Sequence, residues 1–153
     1  MWRAITAAGL GLVVAGGAGA KDPEPKLTPA ELVEAFLTNE AYADENYAGK
    51  ELELTGKVVR VSRSKYGPEP ETGQAYVLEL DADKAGRKET VDLDLVILFS
   101  ERDRAQLAKL KPGQAVVVRG RCSDRAIWSA AARGKDKDYS QVYLRECRLV
   151  EVK

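Results

Sequence analysis

Two stretches of this chain share one pattern, a strand with a glycine inside it. The first is NEAYADENYAGKELELTGKVVRVSR at residues 39–63, where a polar helical segment leads into a long strand that contains Gly56. The second is KLKPGQAVVVRGRC at residues 109–122, where a turn leads into a strand that contains Gly120. A glycine inside a strand is typical of a bulge or a sharp bend. Both stretches therefore predict strands that coil strongly.

Apolar alternation predicts three more strands. The first two cover about residues 75–81 and 90–99, and a last strand covers about 141–152, with a change of parity that indicates a bulge near Arg145 and Glu146. Residues 100–110 predict a short connecting helix. The order β-β-β-α-β-β predicts a mainly β fold, a five-stranded OB barrel.

A helix is predicted ahead of the first strand. Thr28 suits the capping position, Pro29 the first helical position, and Glu31 completes a capping box. One stripe, which needs a partner, is formed by the apolar residues Leu32, Val33, Phe36, Leu37 and Ala41. We expect this stripe to cover one end of the barrel.

The first twenty residues, MWRAITAAGLGLVVAGGAGA, predict a secretory signal peptide that is cleaved after Ala20. One cation precedes the apolar run, and the run is too short and too rich in glycine to span ~30 Å of hydrocarbon. We therefore expect a periplasmic or secreted protein with no membrane span after cleavage. Residues 21–27, KDPEPKL, predict a linker, and residues 28–153 the barrel with its helix.

The charge balance and the absence of histidine exclude several classes of function. There are 24 Lys and Arg against 24 Asp and Glu, so the chain has no positive excess to attract phosphates. The absence of histidine removes imidazole metal sites and the usual general base. We expect no enzyme, no cofactor and no metal. An incomplete EF-hand spacing from Asp81 to Asp92 is better interpreted as a polar hairpin turn, because Ala85 replaces a ligand position.

Cys122 and Cys147 form an even pair in a chain that we expect to be exported. In an oxidising compartment such a pair predicts a structural disulfide. A reactive thiol pair is the alternative, but the CxxC spacing is missing.

Two long loops, at residues 62–74 and 123–140, are the segments with which OB barrels commonly bind ligands. Their basic and aromatic residues form the candidate ligand surface: Arg63, Tyr66, Arg125, Trp128, Arg133 and Tyr139. Such residues suit stacking on bases or sugars, and we expect Tyr66 and Trp128 to approach a common surface. The alternative is that Trp128 only pins its loop to the barrel.

The chain resembles the tRNA-anticodon-like OB family of small, often exported bacterial proteins. The resemblance rests on NEAYADENYAGK, ELELTGKVVRV, LAKLKPGQAVVVRGRC and VYLRECRLV. It implies the fold and no catalytic residues. The expected function is an exported, non-enzymatic binding module for a protein or a small oligomeric ligand. Binding of single-stranded nucleic acid or oligosaccharide through the two loops is the alternative.

Overall fold

The computed structural model describes residues 23–64, 73–82, 92–129 and 138–153, and for residues 92, 127–129, 138 and 139 it describes the backbone. In chain order its strands are β1 (Lys26–Leu27), β2 (Glu51–Arg63), β3 (Gln74–Leu80), β4 (Asp92–Ser100), β5 (Ala115–Cys122), β6 (Ala126–Ser129) and β7 (Asp138–Val152). Its helices are α1 (Pro29–Thr38), α2 (Glu40–Asn46) and α3 (Arg104–Leu107), with a 3-10 turn at Glu101–Asp103.

Five of these strands close a barrel. β3 pairs antiparallel with β2 and with β4, and β4 pairs parallel with β7. β7 then pairs antiparallel with β5, which returns to β2. This order confirms the predicted OB barrel, and β1 and β6 add short pairings to β2 and β7.

β2 bends because it serves neighbours on two sides of the barrel. Its first half pairs with β5 as far as Lys57, and its second half pairs with β3. The register shifts between Val58 and Arg60, and Val59, the extra residue at this shift, is 41% exposed. The predicted bulge is therefore present, but it lies after Val58 rather than at Gly56. Before it Leu54 and Val58 face the core, and after it Val61 packs against the core.

The bulge predicted in the last strand is confirmed. Its register with β5 shifts opposite Arg119 and Arg121. At this point Glu146 takes a φ of 53°, in the left-handed region that L residues other than glycine rarely adopt. The bulge lets Leu144 and Cys147, three residues apart, both face the core.

Two helices, where one was predicted, precede the barrel. Thr28 and Glu31 form the predicted capping box of α1, and the apolar stripe of that helix enters the core. Asn39 interrupts the helix with a φ of −153°, and its side chain accepts a hydrogen bond from the Tyr42 N–H at 3.1 Å. A capping asparagine thus starts α2. No helix in the described part of the chain is long and apolar enough to cross a membrane.

One contiguous core fills the barrel and joins it to α1. Its fully buried large apolar side chains come from α1 and from all five barrel strands: Leu32, Phe36, Leu52, Leu54, Leu78, Leu93, Ile97, Phe99, Val116, Val118 and Leu144. The alternation of Leu95 with Leu93 and Ile97 predicts that it faces the core, but it is only partly buried.

Residues 23–27, expected as part of an unpacked linker, lie against the barrel. Glu24 pairs with Arg119 at 2.8 Å, and the Pro25 carbonyl accepts a hydrogen bond from the Glu53 N–H at 2.9 Å. The hydrogen bond from Arg119 also holds the pKa of the Glu53 carboxyl below its usual range, aided by Lys26. These contacts fix the point where the chain enters the barrel.

Candidate ligand groove

A groove of about 370 Å³ crosses the outer face of the barrel. Its lining comes from β2 and the residue after it, from β3, from β4 and from β7: Arg60, Ser62, Arg63 and Ser64; Val77 and Glu79; Asp94, Leu95, Val96 and Leu98; Gln141 and Tyr143. Side chains alternate between the two faces of a strand, so the lining comes mostly from every second residue of each strand. Along β3, Leu78 and Leu80 enter the core, so Val77 and Glu79 face outward into the groove.

The two long loops adjoin opposite ends of this groove. β3 is antiparallel to β4, so the start of β3 lies beside the end of β4, with Gln74 opposite Ser100. β7 is parallel to β4, so the two strands start side by side, with Asp92 opposite Tyr139. The parallel pairing of β7 therefore sets the described start of β7 at the opposite end of β4 from the start of β3. That Tyr66 and Trp128 approach a common surface stays a prediction, because Tyr66 and the Trp128 side chain lie outside the described part of the chain.

The arginines in the groove already have acidic partners. Arg60 donates a hydrogen bond from Nε to Glu79, its neighbour across the strand pair. Arg63 lies 3.6 Å from the Glu101 carboxylate and holds its guanidinium 5.2 Å from the centre of the Tyr76 ring. These pairs are exposed, so each contributes little to stability. Their importance here is that they reduce the positive charge that the groove offers to a ligand.

Two side chains that could form hydrogen bonds with a ligand lie at the other end of the groove. Asp94 on β4 is directly opposite Gln141 on β7. The Tyr143 hydroxyl donates to the Gln141 side-chain oxygen, which leaves the amide N–H groups of Gln141 as donors. Asp94 is exposed and has no hydrogen-bond or ion-pair partner among the residues that the structure describes. A donor and an acceptor therefore stand side by side.

Arg63 is the predicted surface residue that the structure places in the groove. Arg125 is not there. Its side chain is 12% exposed and pairs with Glu40 of α2 at 3.2 Å, so it ties the segment after β5 to the helix. Its position in a basic loop suggested a ligand contact, but the neighbouring helix, which sequence spacing does not reveal, takes up its charge.

The other four predicted surface residues are described in part or not at all. Tyr66 and Arg133 lie outside the described residues. Trp128 and Tyr139 are register partners in the β6–β7 pair, so the loop at residues 123–140 contains a short hairpin. Most of the segment between Asp81 and Asp92 also lies outside the described residues.

The cysteines do not form the predicted disulfide. Cys122 and Cys147 are both buried free thiols, and each donates to a nearby backbone carbonyl, of Ser123 and of Leu144. Cys122 is in register with Leu144, and the bulge displaces Cys147 along β7 to a place over Gly120. Burial raises the pKa of the Cys122 thiol to about 12 and that of Cys147 further upward. Two protonated thiols therefore pack in the core as small apolar groups.

Most of the groove was missed by the sequence prediction, which concentrated on loops. The outward positions of the strands carried a usable signal. Asp94 alternates with Leu93 and Leu95 and so falls on the solvent side of its strand, and Gln141 and Tyr143 share the outward parity of the last strand. What the sequence did not reveal is which outward faces lie side by side.

A closed five-stranded barrel with these connections defines an OB-fold protein. The chain belongs to the tRNA_anti-like family, which matches residues 14–130, more than half of the 153 residues. No curated protein matches the chain in sequence.

The chain is similar to solved structures. One is a "putative nucleic acid-binding lipoprotein" from Klebsiella pneumoniae, with 17% identity, 84% of this chain and 92% of that chain covered, and a TM-score of 0.52. Another is an OBody bound to hen egg-white lysozyme, with 12% identity, 69% and 86% covered, and a TM-score of 0.37. For the Klebsiella structure, at 17% identity and a TM-score of 0.52, the likeness is one of fold.

Proposed function

We propose that this protein is an exported, non-enzymatic binding module that holds an extended ligand in the groove between its two long loops. The supporting observation is the groove itself, in which an aliphatic floor of Val77, Val96 and Leu98 runs between hydrogen-bonding side chains. It lies on the face that OB barrels use for oligomeric ligands. A rigid sheet carries these side chains, so little order is lost when a ligand binds.

Four features support a role without catalysis. The chain has no histidine, and both thiols are buried with a raised pKa, so neither is available as a nucleophile. The described residues contain no group of three or more potential metal ligands. The groove offers contacts along its length rather than one reacting centre.

Export is supported by the first twenty residues. Mass spectrometry of the protein recovered from the periplasm of a bacterial host, expressed from the full chain, should find a mature chain that begins at Lys21. An uncleaved chain in the cytoplasm would contradict export and leave the groove proposal intact.

A substitution that fills the groove tests the binding role. Val77→Trp places a large ring on the floor, and Glu151→Trp adds the same ring at an exposed position on β7 outside the groove. Binding to immobilised glycans, oligothymidine and peptides should be lost for the first variant and kept for the second, at equal melting temperature. If no probe binds the wild-type protein, the binding role is wrong.

Single-stranded nucleic acid binding is the second candidate. Arg63 lines one end of the groove, and its guanidinium lies 5.2 Å from the centre of the Tyr76 ring, which lines a neighbouring pocket. A cation close to an aromatic ring is the combination of groups on which bases stack. The Klebsiella protein of the same fold carries a nucleic acid-binding description. Retention on a polyanion resin that declines with salt would favour this function.

A further inference from the structure

The charges and hydrogen-bonding groups of the groove limit the class of ligand that the proposed binding module can hold. A polyanion meets an unfavourable set of charges. Arg60 and Arg63 are already beside Glu79 and Glu101, and Asp94 adds a carboxylate without a cation of its own among the described residues. A phosphodiester chain would carry one negative charge per nucleotide past Asp94. The repulsion, and the need to detach the arginines from their partners, disfavour nucleic acid in this groove.

An extended peptide also lacks its usual means of attachment. Peptides commonly bind sheets by adding a strand at an open edge. Here β3 lies between β2 and β4, and β4 lies between β3 and β7, so both central strands of the groove have neighbours on each side. A ligand must therefore be recognised by side chains alone.

The side chains that remain match the surface of a sugar. A hydroxyl group is both a donor and an acceptor. The Asp94 carboxylate accepts, and the Gln141 amide, whose oxygen is occupied by the Tyr143 hydroxyl, donates. Neighbouring hydroxyls of one sugar ring can satisfy both at once. The aliphatic floor next to this pair, with Val96, suits the C–H face of the ring.

We infer that the groove binds a neutral oligosaccharide, with Asp94 and Gln141 contacting adjacent hydroxyl groups of one sugar unit. This inference rests on the proposed function. It predicts that binding is nearly independent of salt, because no ion pair with the ligand forms.

The test uses an array of neutral glycans, oligothymidine and an array of extended peptides, with protein expressed from the full chain. The wild type should bind a neutral glycan at an affinity that changes less than threefold between low and high salt. Asp94→Ala and Gln141→Ala should each weaken that binding by about tenfold or more, because each leaves a hydroxyl unpaired. Asp44→Ala, at an exposed aspartate on α2, is the matched control and should bind as the wild type does.

Asp94→Lys separates the ligand classes. It should abolish glycan binding, and it would strengthen oligothymidine binding if the groove held a polyanion. The inference is overturned if only oligothymidine or a peptide binds, or if a glycan binds equally well to Asp94→Ala and Gln141→Ala. Those outcomes leave the groove as a binding site, whereas the absence of binding to every probe overturns the proposed function as well.

Discussion

The Sγ atom of Cys147 lies 2.5 Å from the position that a Cβ atom would occupy at Gly120. The Arg145 carbonyl oxygen and the Leu144 side chain are each 3.0 Å from the same position. Gly120 is therefore a glycine because β5 and β7 approach closely at the bulge. Gly120 and Cys147 are therefore packed directly against each other, and a side chain at position 120 would collide with the Cys147 sulfur atom.

Gly120→Ala should lower the free energy of unfolding by about 1–3 kcal/mol, because the added methyl group overpacks this contact. Denaturant unfolding measures the change. In a Cys147→Ala background the cost of Gly120→Ala should be smaller, since the sulfur atom is gone and only the 3.0 Å neighbours remain. An equal cost in both backgrounds would show that the thiol is not the obstacle.

Glu146→Gly should leave stability unchanged or raise it by up to about 1 kcal/mol. The substitution relieves a φ of 53° that costs an L residue ~1–2 kcal/mol, and it loses part of this gain to the extra freedom of glycine in the unfolded chain. Glu151→Gly on the same strand, where the backbone φ is not positive, should lower stability by about 0.5–1 kcal/mol. Thermal unfolding of the two variants shows whether their changes in stability have opposite signs. If Glu146→Gly lowers stability as much as Glu151→Gly does, the backbone at the bulge is not strained.

Both thiols should be unreactive in the native protein. A thiol whose pKa is about 12, as at Cys122, has little thiolate at pH 8. Burial raises the pKa of the Cys147 thiol even further. A disulfide-exchange reagent at pH 8 should therefore modify neither thiol in the folded, unreduced protein and both after denaturation. Failure to find two thiols in the denatured protein would restore the disulfide that the sequence predicts.

Gln74→Leu should raise the free energy of unfolding by roughly 1–3 kcal/mol. The side chain is 2% exposed, and neither its amide nitrogen nor its amide oxygen has a hydrogen-bond partner in the described part of the chain. Gln114→Leu is the control, because the Gln114 side-chain oxygen accepts from the Lys111 N–H at 3.1 Å. That control should be neutral or destabilising, and a destabilised Gln74→Leu would show that its amide is satisfied in solution.

Neighbouring positions on β4 should differ sharply in their effect on stability. Leu93 is 1% exposed in the core, so Leu93→Ala should cost about 2–5 kcal/mol. Asp94 is exposed on the groove side, so Asp94→Ala should be nearly neutral. Equal melting temperatures for the two variants would mean that the register of β4 is wrong.

The strands and helix ends were largely predictable because their causes are local. Residues 115–122 form the glycine-containing strand that was predicted within residues 109–122, and Thr28 with Glu31 gave the start of α1. The bulge near Glu146 was also visible, as a change of parity along one strand. Local preferences of this kind act over a few residues, so they can be seen in one stretch of sequence.

Contacts between distant residues were not predictable in the same way. The sequence placed Cys122 and Cys147 in one disulfide, Arg125 on a ligand surface and residues 21–27 in a free linker. The structure separates the cysteines by the bulge, pairs Arg125 with Glu40, and holds Glu24 against Arg119. Each of these outcomes depends on which elements the barrel brings together.

The sequence by itself determined the OB barrel, its capped first helix and its two coiled strands, because hydrophobic period, capping residues and glycines act through local sterics and burial. Tertiary structure alone decided that Asp94 and Gln141 stand side by side at one end of a groove and that Arg63 lies at the other. The physical reason is strand pairing. The parallel pairing of β4 with β7 sets which outward faces become neighbours, and alternation along a single strand carries no information about its partner.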